Sequence, residues 1–265
     1  MRIGIVGCAG RMGRMLVNAV LDTDGCVLAG GTERLGSDAL DSDLGELVGR
    51  DRAGVPVESD ARLLFQRSEA VIDFTAPAAT LAHAALAAEL GRVLVVGTTG
   101  LSSDDEGRLR EAAERAAIVY APNFSIGVNL LMALTERASA ILADDYDIEI
   151  VEMHHRHKVD SPSGTALGLG RAAARGREVA LDSVWCKSRD GHTGARPRGE
   201  IGFATLRGGD VVGDHTVMFA AEGERVELTH KASNRAVFAR GAVRAALWAR
   251  GQSPGLYSMR DVLGI

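Results

Sequence analysis

The stretch from residue 152 to residue 165 carries the densest set of proton-exchanging side chains in the chain. Its sequence is Glu-Met-His-His-Arg-His-Lys-Val-Asp-Ser-Pro-Ser-Gly-Thr, which places three of the seven histidines at positions 154, 155 and 157. Lys158 follows them directly, and it is one of three lysines among the 30 basic residues. Because lysine, unlike arginine, can give up its proton, this cluster is a candidate for acid–base chemistry.

Three interpretations of this cluster compete. A metal site is the first, since imidazoles are common ligands, but Arg156 and Lys158 would oppose a divalent cation and no acidic or thiolate partner stands at ligand spacing. A structural cluster of polar surface histidines is the second. An anionic substrate is the third, and it is favoured because Ser161-Pro162-Ser163 leads into a helix at Gly164 whose N-terminus could hold a carboxylate.

A glycine-rich segment near the start predicts a dinucleotide site. Gly7-Cys8-Ala9-Gly10-Arg11-Met12-Gly13 follows a predicted strand and opens a predicted helix, which suits a pyrophosphate. Glu33, 20 residues beyond Gly13, could accept the ribose hydroxyls, and Arg34 could face a 2′-phosphate. This pair of opposite charges suggests a site for both NAD and NADP, unless both residues are merely solvated loop charges.

Three further turns end predicted strands of the same sheet. They are Asp73-Phe74-Thr75, Gly97-Thr98-Thr99-Gly100 and Ala121-Pro122-Asn123-Phe124. Ligands of doubly wound sheets bind outside the carboxyl ends of the strands, so these turns are expected to border the nicotinamide. Each could equally be ordinary turn chemistry.

The order of the elements predicts an α/β chain with two domains. Strands at 2–6, 26–30, 70–74, 92–96 and 117–120 alternate with helices at 12–21, 77–90 and 103–116, with residues 36–54 as loop. This alternation of strands and helices predicts a Rossmann-type doubly wound parallel sheet over residues 1–122.

Beyond Asn123 strands dominate. A helix at 127–142, a strand at 147–153 and a helix at 164–174 precede strands near 184–187, 201–206, 211–220 and 225–231. They predict an α+β domain at 123–234 with a mixed or antiparallel sheet. The last helix, 234–250, could pack on either domain, and segment 235–265 is assigned to the first.

Composition limits the possible partners. The 265 residues are 46% hydrophobic and 25% charged, with a net charge of −5, which is typical of a globular protein without the basic surface that nucleic acids require. Cys8, Cys26 and Cys186 form no C-x-x-C pair, which favours a reducing compartment. No run of 18 apolar residues and no signal cleavage site is evident, so a cytoplasmic protein without a membrane span is expected.

The motifs together resemble a known family. Glu-x-His-His-Arg-His-Lys-Val-Asp-Ser-Pro-Ser-Gly-Thr-Ala, the N-terminal Gly-x-x-Gly-Arg-Met-Gly, and the later Gly-Phe-Ala-Thr, Gly-Asp-His-Thr and His-Lys-Ala-Ser-Asn-Arg segments are similar to 4-hydroxy-tetrahydrodipicolinate (dihydrodipicolinate) reductases of bacterial lysine and diaminopimelate biosynthesis. The resemblance covers essentially the whole chain. Ser161 is one variation, where many members carry alanine, and it lies outside the contacts that the family assigns.

The resemblance implies a function for most of these residues. It implies reduction of a cyclic dicarboxylate with hydride from NADH or NADPH, with His154 and Lys158 as proton donors. It implies substrate binding by His155, Ser163, Gly164, Thr165 and Arg235. Cofactor positions implied are Gly7, Cys8, Ala9, Gly10, Arg11, Met12, Glu33, Arg34, Gly97, Thr98, Thr99, Ala121, Pro122, Asn123 and Phe124. The family precedent is a homotetramer assembled through the sheet of the second domain.

Two alternative functions stay open at this point. One is another NAD(P)H-dependent reductase that acts on a different small anion. The other is a redox sensor that binds NAD(H) without turnover, which would leave the histidine and lysine cluster without a task. The remaining histidines, at 83, 192, 215 and 230, are expected to be ordinary polar or partly buried side chains.

Overall fold

The computed structural model describes residues 1–265, which divide into two compact units. The first unit comprises residues 1–126 and 236–265, and the second comprises residues 127–235. Each unit has its own sheet and its own hydrophobic core. The last long helix therefore belongs to the first unit.

A seven-stranded sheet forms the centre of the first unit, and all its neighbouring strands are parallel. In chain order the strands are β1 (Arg2–Val6), β2 (Val27–Thr32), β3 (Val57–Glu58), β4 (Ala70–Asp73), β5 (Val93–Val96), β6 (Ala117–Tyr120) and β12 (Gly255–Tyr257). Their spatial order is β12-β6-β5-β4-β1-β2-β3, with β2 and β4 on opposite sides of β1. The predicted Rossmann-type doubly wound parallel sheet is confirmed.

Helices cover both faces of this sheet. They are α1 (Arg11–Leu21), α2 (Leu44–Leu47), α3 (Ala61–Arg67), α4 (Pro77–Leu90), α5 (Ser103–Ala113), α9 (Ala236–Ala249) and α10 (Met259–Leu263). α1 and α9 contribute to one apolar cluster, and α3, α4 and α5 contribute to the other. Because both faces are covered, the central strands are runs of buried valine and isoleucine without alternation.

Local signals explain where several of these helices begin. Pro77 occupies the first turn of α4, where its missing N–H costs nothing. Ser102 caps α5, accepting the N–H of Asp105 while the Asp105 side chain accepts the N–H of Ser102. Both starts agree with the sequence-based prediction.

The prediction of a continuous loop over residues 36–54 is wrong, because it contains α2. Asp43 caps this helix and accepts the backbone N–H groups of Gly45, Glu46, Ala53 and Val55, so one buried carboxylate organises the segment. A helix of four residues is too short to show a hydrophobic period. The short elements α3, β3, β12 and α10 were missed for the same reason.

The second unit is built on a five-stranded mixed sheet, as predicted. The strands are β7 (Asp147–His154), β8 (Trp185–Cys186), β9 (Ile201–Arg207), β10 (Gly213–Ala221) and β11 (Glu224–Ala232). Their order is β11-β10-β7-β9-β8, in which β9 is parallel to β7 and β8 while β10 is antiparallel to β7 and β11. Every second residue of β7 is buried, because only one of its two faces lies against the core.

Three helices complete the second unit: α6 (Ile126–Leu142), α7 (Gly164–Gly176) and α8 (Leu181–Val184). Leu131 of α6 and Leu169 of α7 pack in one cluster with Ile148, Phe203 and Phe219 of the sheet. A 3-10 turn at Ala143–Asp145 leads from α6 into β7.

One helical stretch, Ile126–Asp145, has the length and apolar composition of a membrane span. This corrects the expectation that no segment of the chain has those properties. Such a match is weak evidence for a membrane, because core helices of soluble proteins pass the same test. Here Leu131 joins the core of the second unit, and the Ser139 hydroxyl donates to the carbonyl of Ala173 on α7 at 2.7 Å.

Candidate functional site

The turns predicted to bind a dinucleotide follow β1, β2, β4, β5 and β6 of the first unit. Because these strands are parallel, their carboxyl ends lie at one edge of the sheet. β1 lies between β2 and β4, so the direction of the strand order reverses beside β1. Open α/β sheets bind their ligands at such a reversal.

The glycine loop after β1 leaves room for a pyrophosphate. Gly7 has a φ of 67°, and its N–H donates to the carbonyl of Thr32 at 2.8 Å. A Cβ on Gly13 would lie 2.1 Å from the carbonyl oxygen of Gly7, so only glycine allows this approach of helix and loop. No side chain caps α1 at Gly10, which leaves the first N–H groups and the helix dipole for an anion. These residues fit a dinucleotide.

Glu33 directly follows β2 and supports this loop. Its Oε1 accepts the N–H of Ala9 at 2.8 Å, and the side chain is half-buried. A surface cleft next to Ala9 is lined by Arg14 and Arg34 together with the hydroxyl residues Ser37 and Ser42. Arg34 and the two hydroxyls could donate to a phosphate, while the Arg14 guanidinium already donates to the carbonyls of Ala9 and Leu47 and the cleft also contains the carboxylate of Asp38.

A buried carboxylate joins the turns after β4 and β5. Asp73 is fully buried, and its Oδ1 accepts the N–H and the hydroxyl of Thr75 at 2.8 and 2.6 Å and the hydroxyl of Thr98 at 3.3 Å. His83 on α4 contacts its Oδ2 at 2.8 Å. Burial by itself would raise the pKa of Asp73, but these bonds outweigh it and hold the pKa below its ordinary value.

Aromatic packing fixes the last predicted cofactor segment. Phe124 is buried, and its ring lies 5.5 Å from that of Phe74. A Cβ on Gly97 would lie 2.2 Å from the Phe74 ring, so this turn also requires glycine. Asn123 accepts the N–H of Ser125, while Thr99 and Pro122 are exposed. The predicted cofactor residues of these turns thus lie at the same edge of the sheet.

Cys8, a predicted cofactor residue, is fully buried. Burial, followed by the nearby charge of Glu33, raises the pKa of its thiol to about 12. The thiol therefore stays protonated at neutral pH.

We expect Gly13→Ala to weaken NADH binding about tenfold or more, because the new methyl group would push the loop out of the shape that admits a pyrophosphate. Fluorescence titration with NADH measures the affinity. Gly107→Ala on α5 is the matched control, since a Cβ there meets no atom within 4 Å. An unchanged dissociation constant for Gly13→Ala would contradict the assignment of this loop.

The sheet register of the second unit brings its polar cluster together. Glu152 and His154 are two residues apart on β7, so both point to the face that carries Ile148 and Ile150 into the core. Arg207 on β9 pairs with His154, and His215 on β10 pairs with Glu152. The apolar face of the sheet thus ends in a patch of titratable groups.

Glu152 is the centre of this patch. It is 1% exposed, and it accepts Nδ1–H of His154 at 2.6 Å, two guanidinium N–H groups of Arg207 at 2.7 and 3.0 Å, and the N–H of Ser163 at 3.0 Å. Burial would raise the pKa of Glu152, but these donors outweigh it and keep the pKa below its ordinary value. Because an ionised carboxylate only accepts, Nδ1 of His154 carries the proton.

The loop after β7 holds the remaining cations. Both oxygens of Asp160 accept from Nζ of Lys158, at 2.7 and 2.8 Å. The hydrogen bond from Lys158 lowers the pKa of Asp160. Arg235 approaches Nε2 of His155 at 3.4 Å. Partial burial, and then the charge of Arg235 and of the neighbouring cations, lowers the pKa of His155.

Of the predicted substrate residues at the start of α7, Ser163 is buried, whereas Gly164 and Thr165 are accessible. Ser163 is 2% exposed, and its hydroxyl accepts the N–H of Ala166 as the helix cap. Its own N–H is bound to Glu152, so it is engaged within the unit. Gly164 is exposed and Thr165 is half-buried at the first turn of the helix. An anion could therefore reach the helix N-terminus at these two residues.

Sequence reasoning missed three members of this patch: Glu152, Arg207 and His215. Glu152 could have been found, because a strand places residues two apart on one face. Arg207 and His215 could not, since their neighbours depend on the pairing of β9 and β10 with β7. No group of three or more His, Cys, Asp or Glu side chains converges in a metal-binding arrangement.

A sheet that binds a dinucleotide at its switch point and a second unit rich in proton donors define a nicotinamide-dependent oxidoreductase. The family models for the N-terminus and the C-terminus of dihydrodipicolinate reductase match residues 1–124 and 127–263. The chain therefore belongs to the dihydrodipicolinate reductase family.

Individual relatives agree with this assignment. The chain is 54% identical to the 4-hydroxy-tetrahydrodipicolinate reductase of Afipia carboxidovorans over 265 residues, covering 100% of the chain and 97% of the relative. It is 56% identical to that of Ruegeria pomeroyi, covering 99% and 98%. A solved dihydrodipicolinate reductase from Paenisporosarcina sp. TG-14, with dipicolinate bound, has a TM-score of 0.76 at 25% identity and covers 97% of both chains.

Proposed function

We propose that the chain reduces 4-hydroxy-tetrahydrodipicolinate to tetrahydrodipicolinate, with loss of water and with NADH or NADPH as reductant, in lysine and diaminopimelate biosynthesis. Membership of the family over the whole chain carries this proposal. The dipicolinate bound to the solved relative, a cyclic dicarboxylate, supports the same substrate class. Neither another anionic substrate nor a sensor without turnover is favoured by any of these findings.

The first unit serves as the dinucleotide-binding domain in this proposal. The glycine loop holds the pyrophosphate, Glu33 accepts from the adenosine ribose, and the turns at 97–99 and 121–124 border the nicotinamide. The bound nicotinamide supplies a hydride from its C4. The second unit binds the substrate and forms the oligomer.

The substrate's two carboxylates require cations and N–H donors, which the second unit supplies. We assign them to His155, Arg235 and the α7 N-terminus at Gly164 and Thr165, with Ser163 shaping the helix start from inside. After water is lost, hydride adds to one end of a conjugated C=C–C=N system, and negative charge develops toward the nitrogen. A proton must then be delivered, and we assign this role to His154 and Lys158.

The decisive experiment is a coupled assay. The upstream synthase condenses pyruvate with aspartate semialdehyde, and oxidation of NADH or NADPH by the chain is followed by the absorbance of the reduced cofactor. Oxidation with this product, and not with other keto or imino acids, is the expected result. Oxidation only with a different small anion would support the alternative reductase, and cofactor binding without turnover would support the sensor.

We expect Arg34→Ala to raise the KM for NADPH about tenfold while changing the KM for NADH much less. Arg34 lines the cleft beside Ala9, and loss of one hydrogen bond to a charged group costs about 1.5–3 kcal/mol. Steady-state kinetics with each cofactor measure the effect. Arg108→Ala, at an exposed arginine of α5, is the control. An equal rise for both cofactors would remove Arg34 from 2′-phosphate recognition.

We also propose a cytoplasmic homotetramer assembled through the sheet of the second unit. The helices cover only one face of this sheet, and Leu206, which pairs with Met153 on the other face, is 50% exposed. A second copy would remove such side chains from water. Light scattering is expected to give four times the chain mass of 27.9 kDa.

A further inference from the structure

The side chains that hold His154 and Lys158 in place belong to one hydrogen-bonded group. Glu152 binds Nδ1 of His154, and Arg207 binds both oxygens of Glu152. The same guanidinium also donates to the backbone carbonyl of Asp160 at 2.7 Å, and the Asp160 side chain holds Lys158. We propose that Glu152 and Arg207 are a positioning pair that aligns both proton donors, His154 and Lys158. This inference rests on the proposed function.

The burial of the Glu152 carboxylate is energetically unfavourable by itself. A carboxylate that is 1% exposed loses its hydration, and this loss is offset only when strong donors surround it. The core needs no charge here, since Ile148 and Ile150 fill the equivalent positions earlier on the same face of β7. A buried ion at the end of an otherwise apolar face therefore indicates a functional requirement.

The geometry of the imidazole explains what Glu152 contributes. With Nδ1–H donated to the carboxylate, the ring orientation is fixed and Nε2 is left for the proton that is delivered. Gly213 lies beside this nitrogen, and a Cβ there would be 3.0 Å from Nε2 of His154.

Arg207 positions the loop that carries Lys158, as Glu152 positions the imidazole ring of His154. It stands opposite His154 in the β7·β9 register, so the sheet fixes where its side chain starts. Its planar group spans two sites, the Glu152 carboxylate and the Asp160 carbonyl, which a lysine ammonium cannot match. The loop that carries Lys158 is thereby tied to the strand that carries His154.

The proposal is tested with two glutamates of the same strand. Glu152→Gln removes the charge and keeps the shape, and we expect kcat to fall about a hundredfold with unchanged NADH affinity, since misplaced donors cost about that much. Glu149→Gln is the matched control: Glu149 also lies on β7 and is also bound by arginines, Arg189 and Arg196, and its loss is expected to leave kcat unchanged.

The pH profile of kcat separates positioning from general damage. We expect the pH profile of kcat to differ between Glu152→Gln and the wild type, because a neutral amide can donate as well as accept and so no longer fixes the proton on Nδ1 of His154. The charged and titratable groups that face His154 come from three strands and the following loop: Glu152, Arg207, His215, His155 and Lys158. A reduced rate with an unmoved profile would overturn the charge role.

A double-mutant cycle decides whether Glu152 acts through the histidine. In a His154→Ala background, we expect Glu152→Gln to lower kcat by much less than a hundredfold, because only the support of Arg207 and the Lys158 loop is then lost. If Glu152→Gln does not fold, Arg207→Lys serves instead and is expected to lower kcat about tenfold, with Arg196→Lys as control. A kcat near that of the wild type in the folded variants would overturn the proposal. A wild type without turnover on the condensation product would instead refute the proposed function.

Discussion

Lys158→Ala is expected to lower kcat by about a hundredfold or more, because a positioned general acid contributes about 10²–10⁴ in rate. The Lys158 side chain is 19% exposed and is held by both oxygens of Asp160, so its ammonium has a defined place. NADH affinity should be unchanged, since the cofactor residues belong to the first unit. Stopped-flow or steady-state NADH oxidation together with an NADH titration measures both quantities.

Two further lysine variants make this result specific. Lys158→Arg keeps the positive charge but gives up no proton at neutral pH, so it should keep the substrate KM and lose kcat. Lys187→Ala removes a lysine that lies 3.7 Å above the Trp185 ring, outside the site, and should leave turnover intact. Nearly full turnover in Lys158→Ala would show that another group delivers the proton.

The sequence predicts the first unit better than the second, for a physical reason. In a parallel α/β sheet each site residue follows its own strand, so the chain order alone places Gly7, Glu33 and Gly97 at one edge. A Cβ at Gly13 or Gly97 would collide with neighbouring atoms, so these positions require glycine. That requirement appears in the sequence as a glycine pattern, which is why these turns could be predicted.

The mixed sheet of the second unit follows different rules. There the neighbours of Glu152 come from β9 and β10, more than fifty residues further along the chain, and depend on their register with β7. The sequence pattern locates those strands but carries no register between them. Hence His154 and Lys158 could be predicted from a local motif, while their support by Arg207 could not.

His215 is the clearest case of a residue whose environment the sequence conceals. It was expected to be an ordinary polar histidine, yet it is 4% exposed and its ring meets that of His154 edge to face at 5.1 Å. Its Nε2 lies 3.2 Å from the hydroxyl of Ser163, while its Nδ1 has no hydrogen-bond partner. Burial, followed by the charge of His154, lowers the pKa of His215 to about 4.

This depressed pKa makes the second unit less stable in mild acid. Between the ordinary value of 6.5 and about 4 the unfolded chain binds a proton at residue 215 that the folded chain does not bind. The contribution of His215 to the free energy of unfolding is therefore complete above pH 6.5 and is lost progressively as the pH falls toward 4. The loss between pH 7 and pH 5 amounts to about 2 kcal/mol.

We expect His215→Gln to remove this part of the pH dependence. Urea unfolding at pH 7 and pH 5, followed by Trp185 fluorescence in a Trp248→Phe background, reports on the second unit alone, because Trp248 lies in the first. Glu152, with an ordinary value of 4.5, loses its contribution mainly below pH 5, so it affects the comparison little. His192→Gln, at an exposed histidine, should keep the wild-type dependence. Identical pH dependence in His215→Gln and the wild type would show that His215 is not held neutral by burial.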